Sequence, residues 1–344
     1  NSKFITGNFM ILIDALYINN SGGKVLLDYL IEELEKTDKE VFYLLDERIQ
    51  KEKLQLKKNK VIYLKASLIK RRNFYKENKN KFSSILCFGN LPPNIKTSAK
   101  VYTYFHQLLF LDLPKEMTFI SKKIYYIKTR FLNAFKKNTD YWLVQTELVK
   151  EKLSKKYGIQ GSNILVIPFY PPFTSEVKTN IRKEHQYIYV SNVSKHKNHL
   201  RLIEAFAKFY DKHKKGKLIL TIPDDASEIL NSINEKVNQG YPVENIGFVD
   251  RNSLCQLYTE SEYHIFPSLT ESFGLGLVEA IENGCKIIGA DLPYTYAVCK
   301  PSLVFNPLEV DSITEALSLS LQKNIINSES KVKNEINTLI SLLH

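Results

Sequence analysis

The sequence is poor in cysteine, with four in 344 residues, and has one tryptophan and two methionines. Cys87, Cys255, Cys285 and Cys299 show no C-x-x-C spacing, so neither a zinc ribbon nor a disulfide scaffold is expected. All four sit in apolar or helix-like stretches and read as reduced core thiols of a cytoplasmic protein. No run approaches the roughly 18 apolar residues of a membrane-spanning helix, and no signal peptide is recognisable. A G-x-G-x-x-G after the first strand-like segment is missing, which argues against a nicotinamide enzyme; the absence of G-x-S-x-G and of a P-loop removes the commonest hydrolase and kinase readings. No two aspartates stand at i, i+2, and His196 and His199 lack a carboxylate at a ligating spacing, so no metal site is expected. Solenoid repeats and low-complexity tracts are also lacking.

Apolar content of 44% and charged content of 25% are those of an ordinary globular protein, and the length can bury two cores. Residues 1–9 read as an extraneous remnant ahead of Met10, which directly precedes the strand-like I-L-I-D. The net charge of +11 is uneven. Residues 1–175 hold 30 Lys and Arg against 16 Asp and Glu, residues 176–344 hold 18 against 21, and residues 51–100 alone hold 14 against 2. Such an asymmetry points one half toward an anionic surface.

Strand-like and helix-like segments alternate along the chain. In the first half strands are predicted at 10–14, 41–45, 61–64, 84–88, 101–105, 141–144 and 164–167, with helices at 24–34, 121–135 and 147–157. The proline-rich P-F-Y-P-P-F, Pro168 to Phe173, and polar 174–179 then read as a linker. In the second half strands are predicted at 188–190, 217–221, 246–249, 264–266, 286–289 and 303–305, and helices at 200–210, 226–237, 252–258, 274–283, 313–321 and 331–343. This rhythm predicts α/β architecture with two doubly wound domains, 1–170 and 171–344, facing a central cleft with ligands outside the carboxyl ends of the strands.

The most informative segment is Glu271 to Glu279, E-S-F-G-L-G-L-V-E. A strand ended by Pro267 precedes it, an apolar helix follows, and Asn283-Gly284 supplies the stop. Gly274 and Gly276 at the helix entrance let a ligand approach backbone N–H groups at the positive dipole end, which suits a phosphate. Glu271 lies in the loop, and Glu279 leans back toward the same mouth because helical side chains tilt toward the N-terminus. Two carboxylate acceptors beside a phosphate site match a nucleotide sugar.

This segment resembles the E-x7-E signature of retaining glycosyltransferases of family four, which have the GT-B fold, and the order Asn245-Ile-Gly-Phe-Val249, Phe266-Pro-Ser268, Glu271 is similar to that family over roughly a hundred residues. The resemblance implies that Glu279 hydrogen-bonds ribose and that Glu271, with the backbone amides after it, holds the donor sugar. Ser272 stands where glycine is frequent. Lys197 and Asn198 match the family's K-N pair, whose lysine neutralises a leaving diphosphate as its charge grows. Five positions earlier the family's usual arginine is replaced by Asn192, with Lys195 a candidate substitute. Gly22-Gly23 resembles the glycine loop covering donor phosphate and acceptor, although turn chemistry accounts for such a pair equally well. His106, after a strand, matches a histidine near the reacting centre, and a structural histidine is an equal reading.

The expected site is thus Lys197, Glu271 and His106 as catalytic residues, with Gly22, Gly23, Asn192, Asn198, Ser272, Phe273, Gly274, Leu275, Gly276 and Glu279 binding the nucleotide sugar and no cofactor or metal. The implied activity is retaining, metal-independent transfer from a nucleoside-diphosphate sugar to a saccharide acceptor, one that is lipid-linked in bacterial O-antigen, capsule or exopolysaccharide assembly. In such enzymes a terminal helix often crosses back to the first domain. A sugar-nucleotide epimerase of the same fold and a non-catalytic basic protein binding anionic lipid or nucleic acid are the alternatives. The basic aromatic stretches 69–82 and 120–142 have the composition of an interfacial membrane surface, or equally of a solvated face. No recognisable module accompanies them that would make nucleic acid the partner. Peripheral attachment to the inner face of the plasma membrane is the matching location.

Overall fold

The computed structural model describes residues 10–51, 54, 56–57, 59–113, 118–173 and 182–343. The remnant expected at 1–9 and the polar stretch 174–179 lie outside the described residues. The chain divides into two compact units, Asn1–Pro171 together with Asn334–His344, and Pro172–Lys333.

The first unit runs β1 (Ile11–Ala15), α1 (Ser21–Glu35), β2 (Val41–Asp46), β3 (Lys60–Leu64), α2 (Leu68–Asn78), β4 (Ser84–Cys87), β5 (Lys100–Tyr104), α3 (Phe119–Phe135), β6 (Tyr141–Val144), α4 (Glu147–Tyr157) and β7 (Ile164–Val166). Its sheet has the order β3-β2-β1-β4-β5-β6-β7, every pair parallel. All residues of β1 and β4 are buried, as expected of central strands covered on both faces. The α4 boundaries are set locally: the Thr146 side chain accepts from the Val149 N–H at 3.3 Å, and Gly158 closes the helix at φ 64°.

The second unit runs β8 (Lys183–Tyr189), α5 (His199–His213), β9 (Lys217–Leu220), α6 (Ser227–Asn238), β10 (Val243–Asn245), α7 (Arg251–Glu260), β11 (Ser261–Phe266), α8 (Leu275–Glu282), β12 (Lys286–Ala290), α9 (Pro293–Val298), β13 (Cys299–Lys300), β14 (Leu303–Phe305), α10 (Val310–Leu319) and β15 (Glu329–Ser330). A parallel sheet takes the order β10-β9-β8-β11-β12-β14, and β13 pairs antiparallel with β15. The last helix, α11 (Ile336–Leu342), packs in the first unit. Asn334 donates to the Tyr29 hydroxyl at 2.9 Å, and Lys39 Nζ donates to the Leu343 carbonyl at 2.9 Å.

In both sheets the strand order reverses beside the unit's first strand, at β1/β4 and at β8/β11. The loops leaving the carboxyl ends there diverge to opposite sides and leave a crevice, the usual ligand position in open α/β sheets.

Several elements differ from the sequence reading. The third strand of the second unit is Val243–Asn245, ahead of the expected 246–249, and the last helix begins at Ile336 instead of 331. Helices α2 and α9 were not expected. The inward stripe of α2 is Arg71, Phe74 and Tyr75. Its first member is a cation, so the i, i+3, i+4 pattern did not read as apolar.

That stripe corrects the reading of 69–82 as a membrane-facing surface, since Phe74, Tyr75 and Arg71 are all buried. Arg71 Nε donates to Asp14 Oδ2 at 2.7 Å, and its other nitrogens donate to the carbonyls of Pro92 at 2.8 Å and Leu91 at 2.9 Å. The Tyr75 hydroxyl donates to the same Asp14 oxygen at 2.6 Å. The network bolts α2 and the 91–92 turn to the end of β1, whereas Lys70 and Arg72 stay exposed. Arg71→Ala would leave a buried carboxylate without its cation and should lower the unfolding free energy by about 3–5 kcal/mol. Urea denaturation reads this as a fall in midpoint. Lys70→Ala should stay within about 0.5 kcal/mol of the parent, and equal midpoints for the two variants would deny the network its structural role.

Candidate functional site

In the second unit two loops meet at the β8/β11 reversal. The first, residues 190–198, ends with Asn198 in the left-handed region at φ 63°, a conformation asparagine tolerates better than most residues. Its side chain is a clamp: Nδ2 donates to the carbonyls of Pro267 at 3.1 Å and Pro307 at 2.7 Å, and Oδ1 accepts from Arg201 at 2.8 Å. The Leu269 N–H donates to the His196 carbonyl at 2.7 Å. The Tyr189 hydroxyl donates to the Lys197 carbonyl at 2.9 Å and lies 3.1 Å from Ser268 Oγ, while the Tyr294 hydroxyl donates to the Ser268 carbonyl at 2.6 Å. Held this way, Lys197 Nζ donates to Glu271 Oε1 at 2.5 Å, with the two side chains 17% and 12% exposed. A cation and a carboxylate 74 positions apart in sequence therefore share one polar spot at the carboxyl ends of adjacent strands.

The second loop leads into α8. Gly274 caps the helix in the left-handed region at φ 74°, where an added Cβ would lie 3.1 Å from Leu277 Cδ1. The Leu277 N–H donates to the Gly274 carbonyl at 2.9 Å, which leaves the N–H groups of Leu275 and Gly276 to mark the positive end of α8. Gly276 serves packing: a Cβ there would lie 3.4 Å from His264 Nε2 and 3.5 Å from the Tyr258 hydroxyl. Phe273 is buried, whereas Ser272 and Leu275 are half-buried. One turn further, buried Glu279 accepts from Arg251 Nη1 of α7 at 3.2 Å, and the Arg251 guanidinium stands 4.3 Å from the Phe173 ring centroid. Burial pushes the Glu279 carboxyl up to about 7, against the opposing pull of Arg251. Asn192 and Lys195 are exposed in the first loop.

In the first unit Gly22 and Gly23 lie in the first turn of α1. A Cβ on Gly23 would come within 3.1 Å of His106 Cε1, while one on Gly22 meets nothing within 4 Å. His106 follows β5. Its N–H donates to Asn90 Oδ1 at 2.7 Å, and its Nε2 lies 3.1 Å from the Phe88 carbonyl. Asn90 Nδ2, which only donates, lies 3.5 Å from the same Nε2, and the shorter contact, to a carbonyl that only accepts, favours the proton on Nε2 with Nδ1 as the acceptor. Burial lowers the imidazole to about 4, against the bond to Phe88 that favours the charged form, so it is neutral near pH 7.

Of the residues singled out from sequence, the second unit brings Lys197 and Glu271 into contact, and Asn198 fastens their two loops. The first unit brings Gly23 against His106. Arg251, Asn90 and Phe88 were not anticipated. Arg251 opens a helix after Asp250, and Asn90 follows Gly89 just beyond a strand end, so both stood at positions where chain direction changes. Among the described residues no cluster of three His, Cys, Asp or Glu side chains is placed to hold a metal ion, and no helix is long and apolar enough to cross a membrane.

Two parallel-sheet α/β units of this kind are the GT-B architecture. Sucrose-phosphate synthase from Thermosynechococcus elongatus superposes with a TM-score of 0.70 at 17% identity, covering 91% of this chain and 89% of that one. Anabaena HepE in complex with UDP and glucose gives 0.68 at 12% identity, over 92% and 90%. Residues 173–335, the greater part of the second unit, match the family model for glycosyl transferases group 1. The GtfA subunit of the UDP-N-acetylglucosamine–peptide N-acetylglucosaminyltransferase of Streptococcus pneumoniae is 29% identical over 174 residues. The match covers 49% of this chain and spans about a third, 33%, of that curated relative's length.

Glu279 generates a pH-dependent stability. Its folded value of about 7 exceeds the ordinary 4.5, so between those values the folded protein holds a proton the unfolded chain has released. Unfolding free energy should therefore fall as pH rises from about 4.5 through 7 and level off above. Glu279→Gln cannot ionise and keeps an amide oxygen for Arg251, so it should flatten that part of the profile. Denaturation of both proteins at several pH values checks this, and identical slopes would assign the dependence to other groups.

Proposed function

We propose that the protein is a retaining, metal-independent glycosyltransferase that moves a sugar from a nucleoside-diphosphate sugar to a saccharide acceptor, a lipid-linked one of the kind used in bacterial surface-polysaccharide assembly. The observation that carries this reading is the Lys197–Glu271 contact at the strand-order reversal, beside the open N-terminus of α8, in a domain of the glycosyl transferases group 1 family. A nucleoside diphosphate leaving a sugar gains negative charge as the glycosidic bond breaks. Lys197 and the α8 amides offer positive charge where that charge would form, which gives the diphosphate a partner without a metal ion. In this reading Glu271 takes donor-sugar hydroxyls, Glu279 takes ribose hydroxyls, and Asn192, Ser272, Phe273, Gly274, Leu275 and Gly276 line the nucleotide sugar. Asn198 positions the loops. Gly22, Gly23 and neutral His106, within the first unit, keep the roles toward donor and acceptor that the family resemblance implies.

The complex of HepE with UDP and glucose makes uridine nucleotides the first donors to test. The basic balance of residues 1–175 supports a lipid-linked acceptor and peripheral attachment to the inner face of the plasma membrane.

With a donor identified by thermal shift across uridine, guanosine, adenosine and thymidine diphosphates, Lys197→Ala should lower kcat far more than it raises KM, because the charge it meets is larger in the transition state than in the ground state. A variant with raised KM and unchanged kcat would remove Lys197 from the leaving-group role.

Transfer by the parent enzyme should continue in EDTA, with NMR of the product showing the anomeric configuration of the donor sugar. Activity lost in EDTA and restored by magnesium or manganese would overturn metal independence, and an inverted anomer would overturn retention.

A further inference from the structure

The helix α3 carries a face that the fold does not use. One side is anchored: Leu132 is fully buried, and Tyr125 packs edge-on to Phe110 with ring centroids 5.9 Å apart. Thr118 caps the start by accepting from the Ser121 N–H at 3.3 Å, and Lys136 Nζ just past the end donates to the Tyr157 carbonyl at 2.7 Å. The helix is thus fixed at both ends and along an inner stripe. On the outer side stand Ile120, Ile124, Ile127 and Phe131, at 4-3-4 spacing and therefore on one face. They are 72%, 47%, 46% and 39% exposed. Phe119 and Tyr126 extend the exposed apolar surface. Such a contiguous row, about 17 Å long from Ile120 to Phe131 on a helix of 17 residues, is unusual on a soluble surface and marks a contact site.

The charges beside the row are of one sign. Residues 118–139 contain six Lys and Arg and no Asp or Glu. On the helix wheel, at 100° per residue, Lys123 and Arg130 lie along one flank of the row and Lys128 along the other. All three are exposed, and none forms an ion pair among the described residues; Lys128 Nζ instead stands 4.7 Å from the Tyr125 ring centroid.

We propose that the outer face of α3 docks on the surface of an anionic lipid bilayer, with Ile120, Ile124, Ile127 and Phe131 entering the headgroup boundary and Lys123, Lys128 and Arg130 resting on lipid phosphates. An apolar row flanked by cations is the pattern of helices that lie in that plane. A second copy of this face is a poor occupant, because each carries only cations and the two would repel. A nucleic-acid backbone would meet the cations yet leave the apolar row in water. The docking rests on the peripheral attachment proposed above and assigns it a surface, and it is tested apart from glycosyl transfer, since vesicle binding requires no donor.

Co-sedimentation of the full chain with vesicles tests it. Phosphatidylcholine vesicles containing phosphatidylglycerol should bind the protein at low salt and release it as sodium chloride rises, and pure phosphatidylcholine should bind it poorly. The double variants Ile124→Ser with Ile127→Ser, and Lys123→Glu with Arg130→Glu, should each weaken partitioning by about tenfold or more. Lys212→Glu, on the exposed surface of α5, should not. These side chains are exposed, so the variants should keep the parent's melting temperature and its thermal shift with nucleoside diphosphates. The nucleotide response thereby separates a failure of the docking from a failure of the glycosyltransferase reading. An absence of binding to anionic vesicles at low salt, or α3 variants that bind like the parent, would overturn the proposal. So would a concentration-dependent dimer abolished by the Ile124→Ser, Ile127→Ser pair, or binding to single-stranded nucleic acid that displaces the vesicles.

Discussion

The contact between Lys197 and Glu271 is the interaction around which the second unit is arranged. Each residue belongs to a loop that leaves the end of a different strand, and the strands are neighbours because the sheet order reverses between them. A short ion pair at low exposure gains little over water unless the geometry is imposed. Here it is imposed by neutral hydrogen bonds from Asn198, Tyr189 and Tyr294, which hold both loop backbones before either charge is placed. Lysine and glutamate thus neutralise each other at the mouth of α8 and keep two strong polar groups oriented in a partly desolvated spot. A polyanionic ligand arriving there would find the lysine already in position.

The same constraint, with its charges buried, organises the first unit. Arg71 reaches from α2 to Asp14 at the end of β1 and takes the carbonyls of Leu91 and Pro92 with its remaining donors. The turn that follows β4 is therefore tied to the end of β1. That turn contains Asn90, in the left-handed region, whose side-chain Oδ1 accepts the His106 N–H. A charge pair in the interior thus sets the place of an imidazole at the strand ends through three short steps. His106 in turn crowds position 23, since a Cβ there would lie 3.1 Å from the ring's Cε1. The basic residues near the surface divide accordingly: Arg71 belongs to the core, whereas Lys123, Lys128 and Arg130 stay outside on α3.

Where a segment's own pattern carried the information, the sequence was legible. The continuous apolar runs of β1 and β4, the periodicity of α1 and α4, and the strand–loop–helix unit ending at Glu282 follow from side-chain spacing and from glycine and proline punctuation. Parallel sheets need crossover helices, so alternation alone implied two doubly wound sheets. The reading failed where an inward position carries a polar residue. In α2 the stripe begins with Arg71, a cation that is comfortable inside only because Asp14, distant in sequence, waits there. The strand expected at 246–249 failed for a related reason: Asn245 ends the ladder, its side chain bonding Ile222 and closing the strand early.

The sequence by itself determined the α/β class, the glycine-marked entrance of α8 and the chemical types available near it, because these rest on local propensity and on spacing within one element. The tertiary structure decided which of those groups meet. That Glu271 faces Lys197, that Glu279 faces Arg251 and is pushed up to about 7 by burial, and that Gly276 relieves crowding against His264 and Tyr258 all depend on strand order and on contacts between distant segments. Burial and partner choice are properties of the packed chain: the same charge that is solvated on one helix face becomes a structural bolt on another, and only the fold says which.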